Sequence, residues 1–316
     1  MAISTQKPTV TIALPVYNEA ENIATLFDSL AKQKFTKIAL DKIIIYTDGS
    51  TDNTEAIVKE KMKIYPSIEL ISDITRRGKF YRLNQIYKNN ESEVLITLDA
   101  DIGIIGDDFI EKFAMEVVCD DGAMIVSAHE LPIIPKDLIG RVIAVTYIMW
   151  DHVRWSVPKC DHVQNLYNRA TAYRGSFAKK LHIPDEATEE RLYLYLMAKE
   201  TDGFRYSRNA RILYLPVSTI GDYLKLADRA FGRPQPAVNK IFGYDATYHY
   251  NIPRKYKAIG IMRSFISDPF YTTISFFMGI WLSKTVLSRK TEDSPIWEIS
   301  LSSKKKIVVK ETAGNK

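Results

Sequence analysis

Cysteine is scarce: Cys119 and Cys160 are the only two in 316 residues. They lie far apart and show no metal-ligand spacing, so a disulfide scaffold is excluded, a reduced cytoplasmic compartment is expected, and neither thiol is expected to be catalytic. Charge of one sign is also lacking. Lys+Arg number 43 against 38 Asp+Glu, a net charge of +5, which suits a polyanion or an anionic membrane surface without selecting either; no nucleic-acid partner is expected. The start, MAISTQKP, has no basic-then-apolar leader pattern, which predicts no secretion. No internal repeat or low-complexity block stands out, and only residues 269–287 approach the minimum apolar length of a membrane span.

What is present is an apolar share of 46%, ample for a sizeable core in one large or two small domains. Over the first 130 residues short β-branched runs at 10–14, 42–47, 67–71, 94–98 and 123–127 alternate with amphipathic runs at 20–32, 51–61, 79–88 and 107–118. The first set predicts strands, the second helices, several opened by Asn, Asp, Thr or Ser caps. Such βαβ rhythm predicts an α/β fold with a mostly parallel, Rossmann-like sheet covered by helices on both faces. Ligands are then expected beyond the carboxyl ends of the strands.

After residue 130 the rhythm changes. Residues 137–155 (DLIGRVIAVTYIMWDHVRW) predict a long helix. Either it is well buried, or Trp150, Trp155, Arg141 and Arg154 anchor it at a membrane interface. A strand and turn are expected in 169–180, a helix over 188–200, a strand at 211–215 and a helix over 223–231. The run 269–287 (PFYTTISFFMGIWLSKTVL) is diluted by Thr, Ser and Lys284, so a marginal span, a surface-lying helix and a water-exposed helix all stay open. The tail from Lys304-Lys305-Lys306 onward is expected to be solvated.

Three strand ends carry polar residues that a purely structural loop does not need. Strand one runs into PVYNE (15–19), strand two into DGSTD (48–52), and the fourth into Asp99-Ala100-Asp101. Each alone has a plain structural reading, DGSTD as a turn and helix cap with Gly49 free to take positive φ. Together, on one edge of one parallel sheet, they converge on a crevice. Two carboxylates held close repel unless a cation or proton lies between them, and oxygen donors of this kind suit Mg²⁺ or Mn²⁺.

PVYNE, DGSTD some thirty residues on, the Gly78-Lys79 and Asn84 helix, and DAD at the next strand end resemble the inverting family-two glycosyltransferases of GT-A fold, over roughly residues 8–235. The resemblance implies a nucleotide-sugar half (1–130) and an acceptor half of the same domain (131–235); the apolar run 269–287 and its basic flanks predict a C-terminal helical, membrane-associated extension and tail (236–316). The resemblance assigns Pro15, Tyr17, Glu19 and Asp48 to the base and ribose of the donor, expected to be a UDP-sugar, and Lys79 to the diphosphate. Asp99 would face the ribose and donor sugar, and Asp101 would ligate the divalent metal. For the general base it implies an acidic pair opening a helix. Here that pair is Glu189-Glu190 after Thr188, with Glu190 the base in place of the family's usual Asp and Glu189 its understudy. Acids in a helix's first turn also simply favour its dipole. Gly175 in YRGSFAKK would leave room for the acceptor sugar.

The Gln-x-x-Arg-Trp element of processive synthases is missing. Its place holds DRAFGRP (228–234), where Arg229 and Arg233, four apart, either clamp the diphosphate or form a solvated basic turn. That departure argues against a polymer-extruding synthase. The resemblance therefore implies metal-assisted transfer of one sugar to a glycan or lipid-linked acceptor, in the cytoplasm or at the cytoplasmic face of a membrane. A non-catalytic nucleotide- or glycan-binding protein on the same fold is the alternative. A phosphatase with Asp99 as nucleophile is disfavoured because such a motif follows the first strand, and a nucleotidyltransferase because PVYNE replaces its glycine- and lysine-rich loop.

Overall fold

Aliphatic runs punctuated by polar loops become alternating strands and helices from Thr9 to Leu98. The structure, a computed structural model, describes residues 6–187, 189–230, 235–286 and 305–307, the side chains of 227–230 and 283–286 excepted. The strands are β1 (Thr9–Val16), β2 (Ala39–Thr47), β3 (Ile68–Ile71), β4 (Val94–Leu98), β5 (Ile102–Ile104), β6 (Ile125–Pro132), β7 (Ala170–Arg174) and β8 (Phe204–Tyr214). The helices between the early strands are α1 (Ile23–Ala31), α2 (Thr54–Ile64), α3 (Lys79–Asn89) and α4 (Phe109–Val118). Then come α5 (Leu138–Trp155), the single turn α6 (Gly175–Ala178), α7 (Arg191–Lys199), α8 (Ile220–Ala230), α9 (Pro236–Phe242), α10 (Arg254–Ser267) and α11 (Pro269–Val286).

All eight strands join one sheet in the order β3-β2-β1-β4-β7-β6-β8-β5. The first four are mutually parallel, β7 runs antiparallel to β4 and to β6, and β6 and β8 are parallel. The carboxyl ends of β1, β2, β4 and β6 therefore share one edge. Both faces of the sheet are covered, because β1 is apolar on both sides. Ile12 and Leu14 face a layer with Leu26, Phe27 and Phe113, whereas Ala13 faces Leu83, Tyr87 and Leu192. Full burial of each large side chain contributes roughly 1.5–3 kcal/mol, so these two layers dominate the stability.

Several expectations need correction. Strand β5 was not anticipated: three residues pairing antiparallel with β8 across the sheet carry too little pattern to read. β8 starts at Phe204, seven residues before the predicted strand, because polar Ser207, Arg208 and Asn209 interrupt its apolar rhythm. Helix α5, N-capped by the Asp137 carboxylate accepting from Gly140 N–H at 2.7 Å, is buried along most of its length from Val142 to Arg154. Arg154 pairs with Asp151 inside the protein and Trp155 donates to the Tyr206 hydroxyl, so neither is an interfacial anchor. Among the described residues no helix is long and apolar enough to cross a membrane. In the tail, Ile307 is buried and its N–H donates to Asn22 Oδ1 at 3.0 Å, so this point is packed and not solvated.

Candidate active site

The loops after β1 and β2 are stitched into one unit. Asn18, held at φ 52°, accepts the Thr51 N–H on Oδ1 (2.8 Å) and donates to the Thr51 hydroxyl. Ala20 N–H donates to Asp52, and Glu19 N–H to Thr54. PVYNE and DGSTD thus fold as partners, with Pro15 on β1 and Tyr17 and Glu19 following it. The Arg76 guanidinium lies over the Tyr17 ring, 4.1 Å from its centroid.

Asp48, the first residue beyond β2, is buried and organises the loop that leads to α3. Its carboxylate accepts Arg77 N–H (2.9 Å), Gly78 N–H (2.8 Å) and Arg82 Nε–H (2.9 Å). Gly49 has φ +70°, and a Cβ there would lie 3.0 Å from both Arg76 N and Ile74 O, so only glycine lets the two loops touch. Gly78 adopts φ 96°, ψ 159°, a conformation open only to glycine, and so aims the next residue, Lys79, into the crevice.

Lys79 Nζ donates to Asp99 Oδ1 at 2.7 Å and stands 3.8 Å from Glu190 Oε1. Burial works against the Lys79 charge, but Asp99, Glu190 and Asp101 outweigh it and hold the ammonium protonated beyond its usual range. Asp99 follows β4 directly, its N–H donating to Arg169 O (2.8 Å). The chain then bends at Ala100 and Asp101 and crosses to β5. Burial first, then the neighbouring Asp99 charge, push the Asp101 carboxyl up to about 6, although Arg169 and Lys79 oppose them. Behind this pair, Arg169 bonds buried Glu130 of β6 and lies over the Tyr214 ring at 4.2 Å.

The acidic pair before α7 is split by its surroundings. Glu189 accepts from the Tyr250 hydroxyl (2.6 Å) and the Leu192 N–H (3.2 Å), so it is tied to its own helix start and to the C-terminal extension. Glu190 instead faces Lys79. Burial raises its carboxyl above the ordinary range, with Lys79 opposing and Glu189 adding to the rise. Asn84 of α3 fixes this region through a two-point clamp on Ile183, donating to its carbonyl and accepting its N–H, both at 2.8 Å.

The fold therefore brings Asp48, Lys79, Asp99, Asp101 and Glu190 to one edge. Gly175 is not among them. It lies beside the start of β4, at the opposite end of a strand about 13 Å long. A Cβ there would sit 2.0 Å from Ser92 O, so this glycine permits backbone packing and makes no room for a sugar. Arg229 falls on α8 with its side chain outside the described residues, and Arg233 lies outside them altogether. Sequence reasoning missed Arg82, Glu130 and Arg169. Arg82 sits on the apolar face of α3 with Leu83 and Ile86, and Glu130 interrupts a strand, so each was a charge at a buried position; Arg169 gave no local signal.

The glycosyltransferase AglE of Haloferax volcanii is 28% identical over 94 residues, 30% of this chain and 31% of that protein. The uncharacterized glycosyltransferase MG025 homolog of Mycoplasma pneumoniae is 33% identical over 133 residues, 40% of this chain and 41% of its own. The chain thus spans less than half the length of these curated relatives. The mannosyltransferase PcManGT from Pyrobaculum calidifontis, solved in complex with GDP-Man and Mn²⁺, aligns with 89% of this chain and 81% of its own at a TM-score of 0.58 and 17% identity, a likeness of fold. The family model of glycosyl transferase family 2 matches residues 11–193. That stretch runs from β1 into the first turn of α7 and holds every carboxylate of the crevice, and so the chain belongs to glycosyl transferase family 2, with its GT-A fold.

Proposed function

We propose that the protein moves a sugar from a nucleoside diphosphate sugar, a UDP-sugar in first place, to a hydroxyl of a glycan or lipid-linked acceptor, inverting the anomeric carbon. The observation that carries this is Lys79, whose ammonium reaches from Asp99 at 2.7 Å to Glu190 at 3.8 Å. A group that answers the donor's diphosphate thereby lies next to a buried carboxylate able to take a proton. Glu190 accepts the proton of the acceptor hydroxyl as the new C–O bond forms and the bond to the diphosphate breaks. Its raised pKa suits a general base. Glu189, already engaged by Tyr250, orients the helix start.

Pro15, Tyr17, Glu19 and Asp48 are assigned to the nucleoside. Asp48 spends three of its roughly four acceptor positions on the loop and keeps one for a base N–H. Among the described residues no three acidic, His or Cys side chains cluster as a metal cage. Asp101, its carboxyl pushed up by burial and then by the neighbouring Asp99 charge, forms with Asp99 a pair of oxygen donors that would suit a hard divalent cation. Asp101, seconded by Asp99, would hold Mn²⁺ or Mg²⁺, which stabilises negative charge on the leaving diphosphate. Arg229 and Arg233 are kept as further diphosphate contacts.

Calorimetric titration with UDP and with GDP, each with and without Mn²⁺, tests the reading. Metal-dependent binding of one nucleotide that is lost in Asp101→Ala is expected. Binding that ignores both the metal and the substitution would refute it.

A further inference from the structure

Helices α10 and α11 pack inside out. On the first half of α11 the residues turned to the protein are small and polar, whereas Leu282, nearer its end, is buried against Ile143 and Tyr223. Thr272 and Ser275 are fully buried, their hydroxyls donating to Ser264 O (3.1 Å) and Val142 O (2.8 Å). Most of its bulky residues point away: Phe270 is 63% and Phe277 64% exposed. Helix α10 repeats the pattern. Gly260 lies so close to Val153 that a Cβ would come within 2.3 Å of its Cα, and Ser264 is buried, while Met262 and Ile266 are 64% and 78% exposed.

A water-exposed helix does the reverse, burying its apolar stripe. Small residues between helices and large apolar ones outside are how helices pack where the surroundings are themselves apolar. So large an exposed apolar face marks an interaction surface. The exposed start of α5, Leu138 and Ile139, extends the face, and Ser275 joins α11 to that helix.

The charge around this face identifies the occupant. Across residues 254–282 four basic residues (Arg254, Lys255, Lys257 and Arg263) stand against one acid, Asp268. Arg141, near the start of α5, lies over the Tyr271 ring at 5.0 Å. An apolar face bordered by Lys and Arg complements a lipid surface with anionic headgroups. The described helix α11, 18 residues and roughly 27 Å long, with its apolar side chains exposed along one side, fits a helix lying along the surface. We propose that the α10–α11 pair, with the first turn of α5, seats the protein on one leaflet of an anionic membrane. Helix α5 begins six residues after β6, whose carboxyl end shares the sheet edge with Asp99. The lipid-seated face thus adjoins the crevice.

The test uses the full chain and co-sedimentation with phosphatidylcholine vesicles, with and without phosphatidylglycerol. Wild type should partition onto the anionic vesicles and more weakly onto neutral ones. The triple variant Met262→Asp, Ile266→Asp, Phe277→Asp should lose at least about tenfold in partition. Its circular dichroism melt and nucleotide binding should not change, since all three side chains are exposed. A second variant, Lys255→Glu with Lys257→Glu, should lose the preference for anionic vesicles and keep the weaker neutral binding. Wild type that stays in the supernatant with both vesicles overturns the proposal. So does a vesicle-free dimer that the triple variant dissociates, which would make a second copy the occupant. Because partition is read and not transfer, failure here leaves the transferase reading standing.

Discussion

Replacing each glutamate of the 189–190 pair by glutamine separates a base from a structural acid. Glu190 is buried, and its nearest cation is Lys79 at 3.8 Å. At an effective dielectric of about 20 that separation gives a gross attraction of about 4 kcal/mol, shared with Asp99, against a burial cost of several kcal/mol for the carboxylate. The raised pKa of Glu190 shows that burial wins. The sign follows: a carboxyl whose folded pKa lies above its unfolded one binds its proton more tightly when folded, so it lowers stability as pH rises from the ordinary Glu range through the raised value. Glu190→Gln should therefore leave the protein as stable as wild type or up to about 2 kcal/mol more stable at neutral pH, and flatten that pH dependence. It should also cut kcat by about 10²–10⁴-fold with donor KM unchanged. Glu189→Gln trades a charge-assisted bond to Tyr250 at 2.6 Å for a neutral one, costing about 1 kcal/mol of stability and less than about tenfold in kcat. Thermal melts from about pH 4, near the ordinary Glu value, up to about pH 8, and initial rates of sugar transfer give the two readouts. Equal rate losses in both variants, or an active Glu190→Gln enzyme, would refute the assignment.

Asp48→Ala should destabilise by about 3 kcal/mol in a denaturant melt, because it strips a nearly inaccessible Arg82 of one carboxylate partner and leaves the other, Asp73, at the surface. Loss of the loop's two N–H acceptors should also raise amide exchange at Arg77 and Gly78, and unchanged exchange would count against Asp48 as the loop's organiser. Gly175→Ala should lower stability by about 3 kcal/mol through its clash with Ser92 O while leaving acceptor KM unaltered in the folded fraction; a changed KM with an intact melt would restore a sugar-binding role.

The first four strands, their helices and the carboxylates at their ends were legible because parallel βαβ units write themselves locally. An apolar run of five residues, a turn with Gly49 or Gly78 and an amphipathic helix each fit within a dozen residues, and their order alone puts Asp48, Asp99 and Asp101 on one edge. Glu190 was nominated by likeness, but nothing local distinguished it from Glu189. Only packing did so, by bringing Tyr250 from sixty-one residues away to one carboxylate and Lys79 to the other. Gly175 was misread for the same reason: a glycine that admits a ligand and one that admits another strand's backbone look identical in sequence. The composition of 269–287 set its apolarity but could not say which way its phenylalanines faced. Orientation depends on whether neighbouring helices offer a close backbone, as Val153 does to Gly260, and that contact exists only once the chain has folded.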